Sequence, residues 1–480
     1  MCAQRRSAVV AFNRIGLLLR SAIVMNLFRC VIFLLLLVPS LARAQQGGAQ
    51  EEMQCMPGMA MPGCPESTDP EASQRNSGMT NPHPENFIQT IENHDNSGTS
   101  VQPGSTSTPM IMTRKGPWIV MFHANVFVLD EQQSSPRGGD KFFSTNWFMA
   151  MAQRRVGRGR FTARTMLSLE PATITSRRYP LLFQQGETAF GLPIADGQHP
   201  HNFFMEVAGL YDLKLGEKTL LSLYAAPVGD PAIGPAAYPH RASAFEDPVA
   251  PLGHHQEDST HISDDVVTVG LTYGMVRIEA SGFHGREPDE NRWTISQGGI
   301  DSWSTRLTVQ PGSNWSGQYS YGRLRSPEAL FPTEDQERMT ASVMYNRPFH
   351  DGNWASTILW GRTRSLRDNS VFNSYLFEST LRFGSKNYTW TRMENAERSN
   401  ELILGENPLP PGFQEQSLGH VQAYTFGYDR DVDLIPHLAS AIGGQVTVYG
   451  APDTLKPIYG ANPIGVALFV RLRLFSDHPR

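Results

Sequence analysis

From residue 116 onward, apolar and polar residues alternate with a period of two in one segment after another. Near the C-terminus, Val466, Leu468, Val470, Leu472 and Leu474 fall on one side, and Ala467, Phe469, Arg471 and Arg473 on the other. Trp303, Thr305, Leu307 and Val309 oppose Ser304, Arg306, Thr308 and Gln310 in the same way. Tyr375, Phe377, Leu381 and Phe383 oppose Ser374, Glu378, Thr380 and Arg382. Side chains on a strand point to alternate faces, so the pattern predicts β-strands with one apolar face; an amphipathic helix would need a period of 3.6. Segments such as 266–273, 276–283, 303–310 and 315–323 run roughly 8–12 residues each, the length of a tilted strand that crosses a bilayer. About sixteen such segments follow one another.

The gaps between them alternate in length. Residues 155–160, 216–218, 274, 312–314, 350–352 and 385 make brief connections, whereas 130–141, 171–202, 228–263, 285–300, 326–337, 396–418 and 451–463 make long ones. Tight turns at one end of a sheet and loops at the other are how bacterial outer-membrane barrels are built, and the layout resembles porins and related channels. The resemblance rests on architecture. It implies an all-β fold: a closed antiparallel transmembrane β-barrel of about sixteen strands, with short turns in the periplasm and long loops outside. Porins also assemble as homotrimers, an arrangement the sequence leaves open. Trp118, Trp147, Trp303, Trp315, Trp354, Trp360, Tyr388 and Trp390 gather near strand ends, as two interfacial girdles require. A soluble propeller would repeat a motif every ~40–50 residues, and no such repeat is found in the sequence.

Composition agrees with a wet-cored barrel. Only 18% of residues are charged, Gly (42) and Pro (34) are frequent, and mean hydropathy is −0.33. A net charge of −5 without a basic, aromatic-interleaved patch argues against a nucleic-acid partner. Upstream, 27–41 is a short apolar run ending in Ala42-Arg43-Ala44, with Arg5, Arg6, Arg14 and Arg20 before it. That is a signal peptide over 1–44, of ordinary length if translation begins at Met25, so the chain is exported, and the barrel pattern then places it in the outer membrane of a Gram-negative-type bacterium. Residues 45–115, rich in Met, Pro, Gly and Ser, read as a disordered periplasmic segment, and 116–480 as the barrel.

Three groups of residues carry candidate chemistry. Arg164, Glu206, Arg277, Glu279, Arg306, Glu378, Arg382, Arg471 and Arg473 fall on the lumen face. There they either set ion selectivity or pair to hold a narrow or plugged interior. His199 and His201, beside Asp196, lie in one long loop; His240, Glu246, Asp247, His254, His255, Glu257, Asp258 and His261 lie in the next. Imidazole with carboxylate is a ligand set for zinc or copper, so His254, His255 and His261, joined by His199 and His201, are candidate ligands. Equally, such loops fold inward and constrict a pore.

The third group is Met53, Cys55, Met56, Met59, Met61 and Cys64, soft sulfur donors suited to Cu(I), or a tail closed by one Cys55–Cys64 disulfide. This dozen residues resembles the Met-rich leaders of outer-membrane copper-resistance proteins, which implies a metal-handling role. His123 and His284 are the nearest approach to catalytic bases, but neither has a nucleophile at a defined spacing. The expectation is a non-enzymatic channel for passive passage of small polar solutes or ions, with copper or zinc binding as the competing reading. Its partners are outer-membrane lipid and those solutes or metal ions.

Overall fold

A computed structural model describes residues 84–175, 177–432 and 438–473. The signal-peptide expectation, the Met53–Cys64 cluster and Leu474 therefore lie outside the described residues. Sixteen long strands form the barrel. They are β1 (Trp118–Gln133), β2 (Gly139–Val156), β3 (Gly159–Leu167), β4 (Phe204–Gly216), β5 (Thr219–Gly229), β6 (Ser263–Tyr273), β7 (Val276–His284) and β8 (Ser302–Gly312). Then come β9 (Trp315–Leu324), β10 (Gln336–Phe349), β11 (Gly352–Ser365), β12 (Val371–Phe383), β13 (Asn387–Ser399), β14 (Ser417–Asp431), β15 (Ala439–Gly450) and β16 (Ile464–Arg473).

Each strand pairs antiparallel with the next, and β16 returns to β1 in the register Asn125↔Arg473 to Gln133↔Gly465, closing the sheet. A short strand, Ile111–Lys115, pairs with the start of β1 and continues the seam beyond the end of β16. Closure gives each of the sixteen strands a partner on both sides, which a bilayer demands because it offers backbone groups no water. No helix among the described residues is long and apolar enough to cross a membrane.

Alternation sets the two faces. Val466, Leu468 and Val470 of β16 are exposed on the outside, while Ala467, Phe469 and Arg471 are buried inside. Trp303, Trp315 and Trp354 point outward, and Trp315, Tyr345 and Trp354 form a chain of ring contacts across β9, β10 and β11 at the turn end. Three of the expected girdle residues do not join them. Trp147, Tyr388 and Trp390 are buried in the lumen, because their position in the alternation puts them on the inner face. The tight turns fall at one end, where Gly157 and Gly274 adopt φ of 58° and 59°, the left-handed geometry of short hairpins.

The interior departs from an open pore. Residues 84–110, part of the segment 45–115 expected to be disordered in the periplasm, form a helix at Phe87–Asn93 followed by a buried strap. Its polar composition reads as disorder in water, yet it suits a polar lumen whose walls supply hydrogen bonds. Ser105 N–H donates to Ser313 O, Gln153 Nε2 to Glu92 O, and Gly98 N–H to Glu206 Oε1. The loop 230–262 also turns inward. It is bonded to Asn125 of β1, Thr145 of β2, Ser281 of β7, Ser320 of β9, Thr357 of β11 and Arg392 of β13. Those strands lie around the whole circumference, so the loop crosses the lumen. The loop 168–203 packs above it through Tyr179, Leu181 and Phe183, all buried.

Candidate functional site

The inward-facing charges are paired, mostly with each other or with the inserts. Arg164 holds Glu206 through two bonds of 2.7 Å and also donates to the carbonyls of His94 and Gly98. Glu279 lies 3.0 Å from Arg277 and 2.9 Å from Arg306, and Arg306 reaches Thr99 of the strap. Glu378 accepts from Arg241 of the loop at 2.6 Å and from Ser243 at 2.8 Å. Arg471 meets Asp429 and Asp431, while Arg473 holds Glu246 from the loop at 2.8 Å. Arg382 is half-buried near the turn end of β12. Fully desolvated charges are costly unless paired; these pairs tie the inserts to the wall. Two interior cavities, one beside Asn146, Glu170 and His201 and one beside His255, Glu328 and Glu415, have about 30 Å³ each. That is room for about one water.

The histidines come together, though not around one point. His201, His261, His254 and His255 form a run of ring contacts, with centroids 5.3, 5.2 and 5.6 Å apart in turn. His201 Nδ1 sits 3.0 Å from Glu170, His254 Nδ1 sits 2.6 Å from Asp258, and His261 Nδ1 faces Asp258 O at 2.7 Å. Glu257, a candidate co-ligand, turns away and accepts from Ser374 of β12.

His199 and His255 both face Glu187, at 2.7 and 3.5 Å. Glu187, His255 and Glu287 place one ligand atom each within 4.8 Å of one another, the group with metal-site geometry found among the described residues. Burial first, partly offset by Arg292 and Arg338, raises the Glu187 carboxyl to about 7. Burial and then Glu187 itself raise Glu287 to about 8. Burial holds the imidazoles of His199 and His255 well below their ordinary value, hence neutral. Sequence reading missed Glu187 and Glu287 because they come from separate loops, 168–203 and 285–301, with no local spacing to link them.

No known family matches the sequence, and no curated protein does. Among solved structures, an anion-selective porin from Comamonas acidovorans aligns over 74% of this chain and 99% of its own, at 10% identity and a TM-score of 0.47. Salmonella typhi OmpF, solved with daunomycin, aligns over 76% and 100%, at 8% identity and a TM-score of 0.45. A loop-deleted OmpT, an outer-membrane protein of Vibrio cholerae, aligns over 74% and 99%, at 8% and 0.43. These are likenesses of barrel to barrel, too distant to assign roles to residues.

Proposed function

We propose that this chain is an outer-membrane channel for ions and small polar solutes, whose lumen is closed by its own strap and loop in the conformation described. The carrying observation is the combination of an apolar outer face with a charged, hydrogen-bonded interior inside a closed sheet. A bilayer would cover the first, and the second would line an aqueous path. Residues 84–110 occupy the turn-end half of that path through Glu92, His94 and Ser105, and the loop 230–262 crosses it, so removing both opens it. Planar-bilayer recording of the refolded mature chain should show long closed intervals. A chain lacking 84–110 and with 230–262 replaced by a short Gly/Ser linker, folded by heat-modifiable gel mobility, should give discrete and larger conductance steps. Silence from that folded variant would sink the channel reading.

Metal handling is a second reading, favoured by the convergence of Glu187, His255 and Glu287 with His199 alongside. Neutral imidazole and carboxylate suit zinc or Cu(II). Because the two carboxyls titrate near 7 and 8, a divalent ion must displace their protons, so zinc affinity should fall as pH drops from 8 to 6. Calorimetry with zinc should show this slope in the native chain and its loss in Glu187→Gln/His255→Gln. Zinc uptake unchanged by that double substitution would remove the site from consideration.

A further inference from the structure

Six methionines, Met110, Met121, Met149, Met151, Met166 and Met205, are buried together against the wall formed by β1 to β4. The register orders them. His123 of β1 pairs with Met149 of β2, and Met149 pairs with Met166 of β3, so the three share one inward rung. Met110 immediately precedes Ile111, the partner of Phe122, and belongs to the same buried cluster, so the register continued by one residue sets it opposite His123. His240, from the inserted loop, closes the rung from the lumen side. His123 Nε2 lies 2.9 Å from Met149 Sδ, and His240 Nε2 lies 3.1 Å from Met166 Sδ. The two imidazole centroids are 6.5 Å apart, and the Trp147 ring stands 4.4 Å from His240 and 5.0 Å from His123.

We propose that His123, His240, Met149 and Met166, with Met110 in reserve, form a binding site for a soft monovalent cation of the Cu(I) or Ag(I) kind.

Chemistry and geometry agree on this ion. Thioether sulfur and neutral imidazole are soft or borderline donors that carry no charge, which suits a monovalent d¹⁰ ion and disfavours hard divalent ones. Trp147 offers an indole beside the site, a surface that attracts a cation lacking its hydration shell. Arg164, opposite Met151, is held by Glu206. His123 Nδ1 is buried without a hydrogen-bond partner among the described residues, a cost that calls for an explanation. Plain gap-filling by flexible methionine explains the burial of the sulfurs. It gives no reason for two imidazole nitrogens to be aimed at two of them. The inference does not depend on whether solutes pass through the barrel.

The test uses the refolded full-length mature chain with Met53, Met56, Met59 and Met61 changed to Leu and Cys55 and Cys64 to Ser, so that tail sulfur does not contribute. Cu(I) is added without oxygen, in competition with bicinchoninate, and Ag(I) serves as the redox-inert check. One equivalent should bind, with a mixed sulfur–nitrogen shell by X-ray absorption and quenching of tryptophan emission. Met149→Leu/Met166→Leu should abolish it; this swap conserves volume and is among the best tolerated in a core. His240→Gln, on the loop, gives an independent variant and should weaken binding by more than about tenfold, since even the outer partners of metal ligands contribute that much. No Cu(I) uptake by the tail-substituted chain, or uptake unchanged in both variants, overturns the site.

Discussion

Arg241→Ala should destabilise the folded barrel by about 3–5 kcal/mol, the cost of breaking a buried ion pair by removing one partner. Arg241 is fully buried, 2.6 Å from Glu378 on the wall and 2.8 Å from Asp258 on its own loop. It also donates to Ala236 O. Without it, Glu378 keeps Ser243 at 2.8 Å and Arg392 at 3.7 Å, and Asp258 keeps His254 and the Tyr238 N–H. Two carboxylates then share too few donors in a dry interior, so the loop 230–262 should loosen before the strands do. Equilibrium unfolding in guanidinium, read by heat-modifiable mobility, gives the cost, and limited proteolysis within 230–262 gives the location. Arg241→Lys should recover only part of the loss, because an ammonium cannot present the planar fork that bridges two carboxylates. A change under about 1 kcal/mol for Arg241→Ala would mean that water reaches this pair.

Arg164→Ala should release the strap. Arg164 binds Glu206 bidentately and donates to the carbonyls of His94 and Gly98, so one side chain fixes both the wall and residues 84–110. Glu206 retains Tyr224 Oη at 2.7 Å and the Gly98 N–H at 3.0 Å. That places the cost near the lower end of the buried-pair range, about 3 kcal/mol. Adding Glu206→Gln removes the orphaned charge, so the double variant should be more stable than Arg164→Ala alone. Hydrogen exchange should show the amides of 84–110 protected in the native chain and exchanging in Arg164→Ala, with the strands unchanged. Continued protection of that segment would show that His94–Asp212 and Ser105–Asn346 suffice to hold it.

Much of the barrel was legible because a membrane strand obeys one strong rule. Val466, Leu468 and Val470 alternate with Ala467, Phe469 and Arg471 in the sequence and in the structure alike. The turn-and-loop rhythm carried the strand count for the same reason, since hairpin length is a local property. The contents of the lumen were not legible. Ser97, Thr99, Gln102 and Ser105 look like linker residues until Asp230, Arg306, His240 O and Asn346 are placed around them. That pairing is non-local and leaves no periodicity. Aromatic side chains misled for a different reason: Trp147 and Trp390 suit a membrane interface by composition, and only their parity on the strand sends them inward. The Met149/Met151 spacing on β2 was a usable signal for an inward sulfur rung. The partners that make it a candidate metal site, Met166 and His240, lie one strand and one loop away.

Thiol accessibility is the most direct test of a lumen filled by its own chain. Ala236, in the inward loop 230–262, is fully buried, whereas Gly299 in the loop 285–301 is exposed with open space around it. With Cys55 and Cys64 changed to Ser, the refolded bilayer-inserted chain should carry an Ala236→Cys thiol that resists a charged, water-soluble methanethiosulfonate reagent. A Gly299→Cys thiol should react at once under the same conditions. Labelling of both at comparable rates would contradict a filled lumen and leave an open aqueous pore in its place.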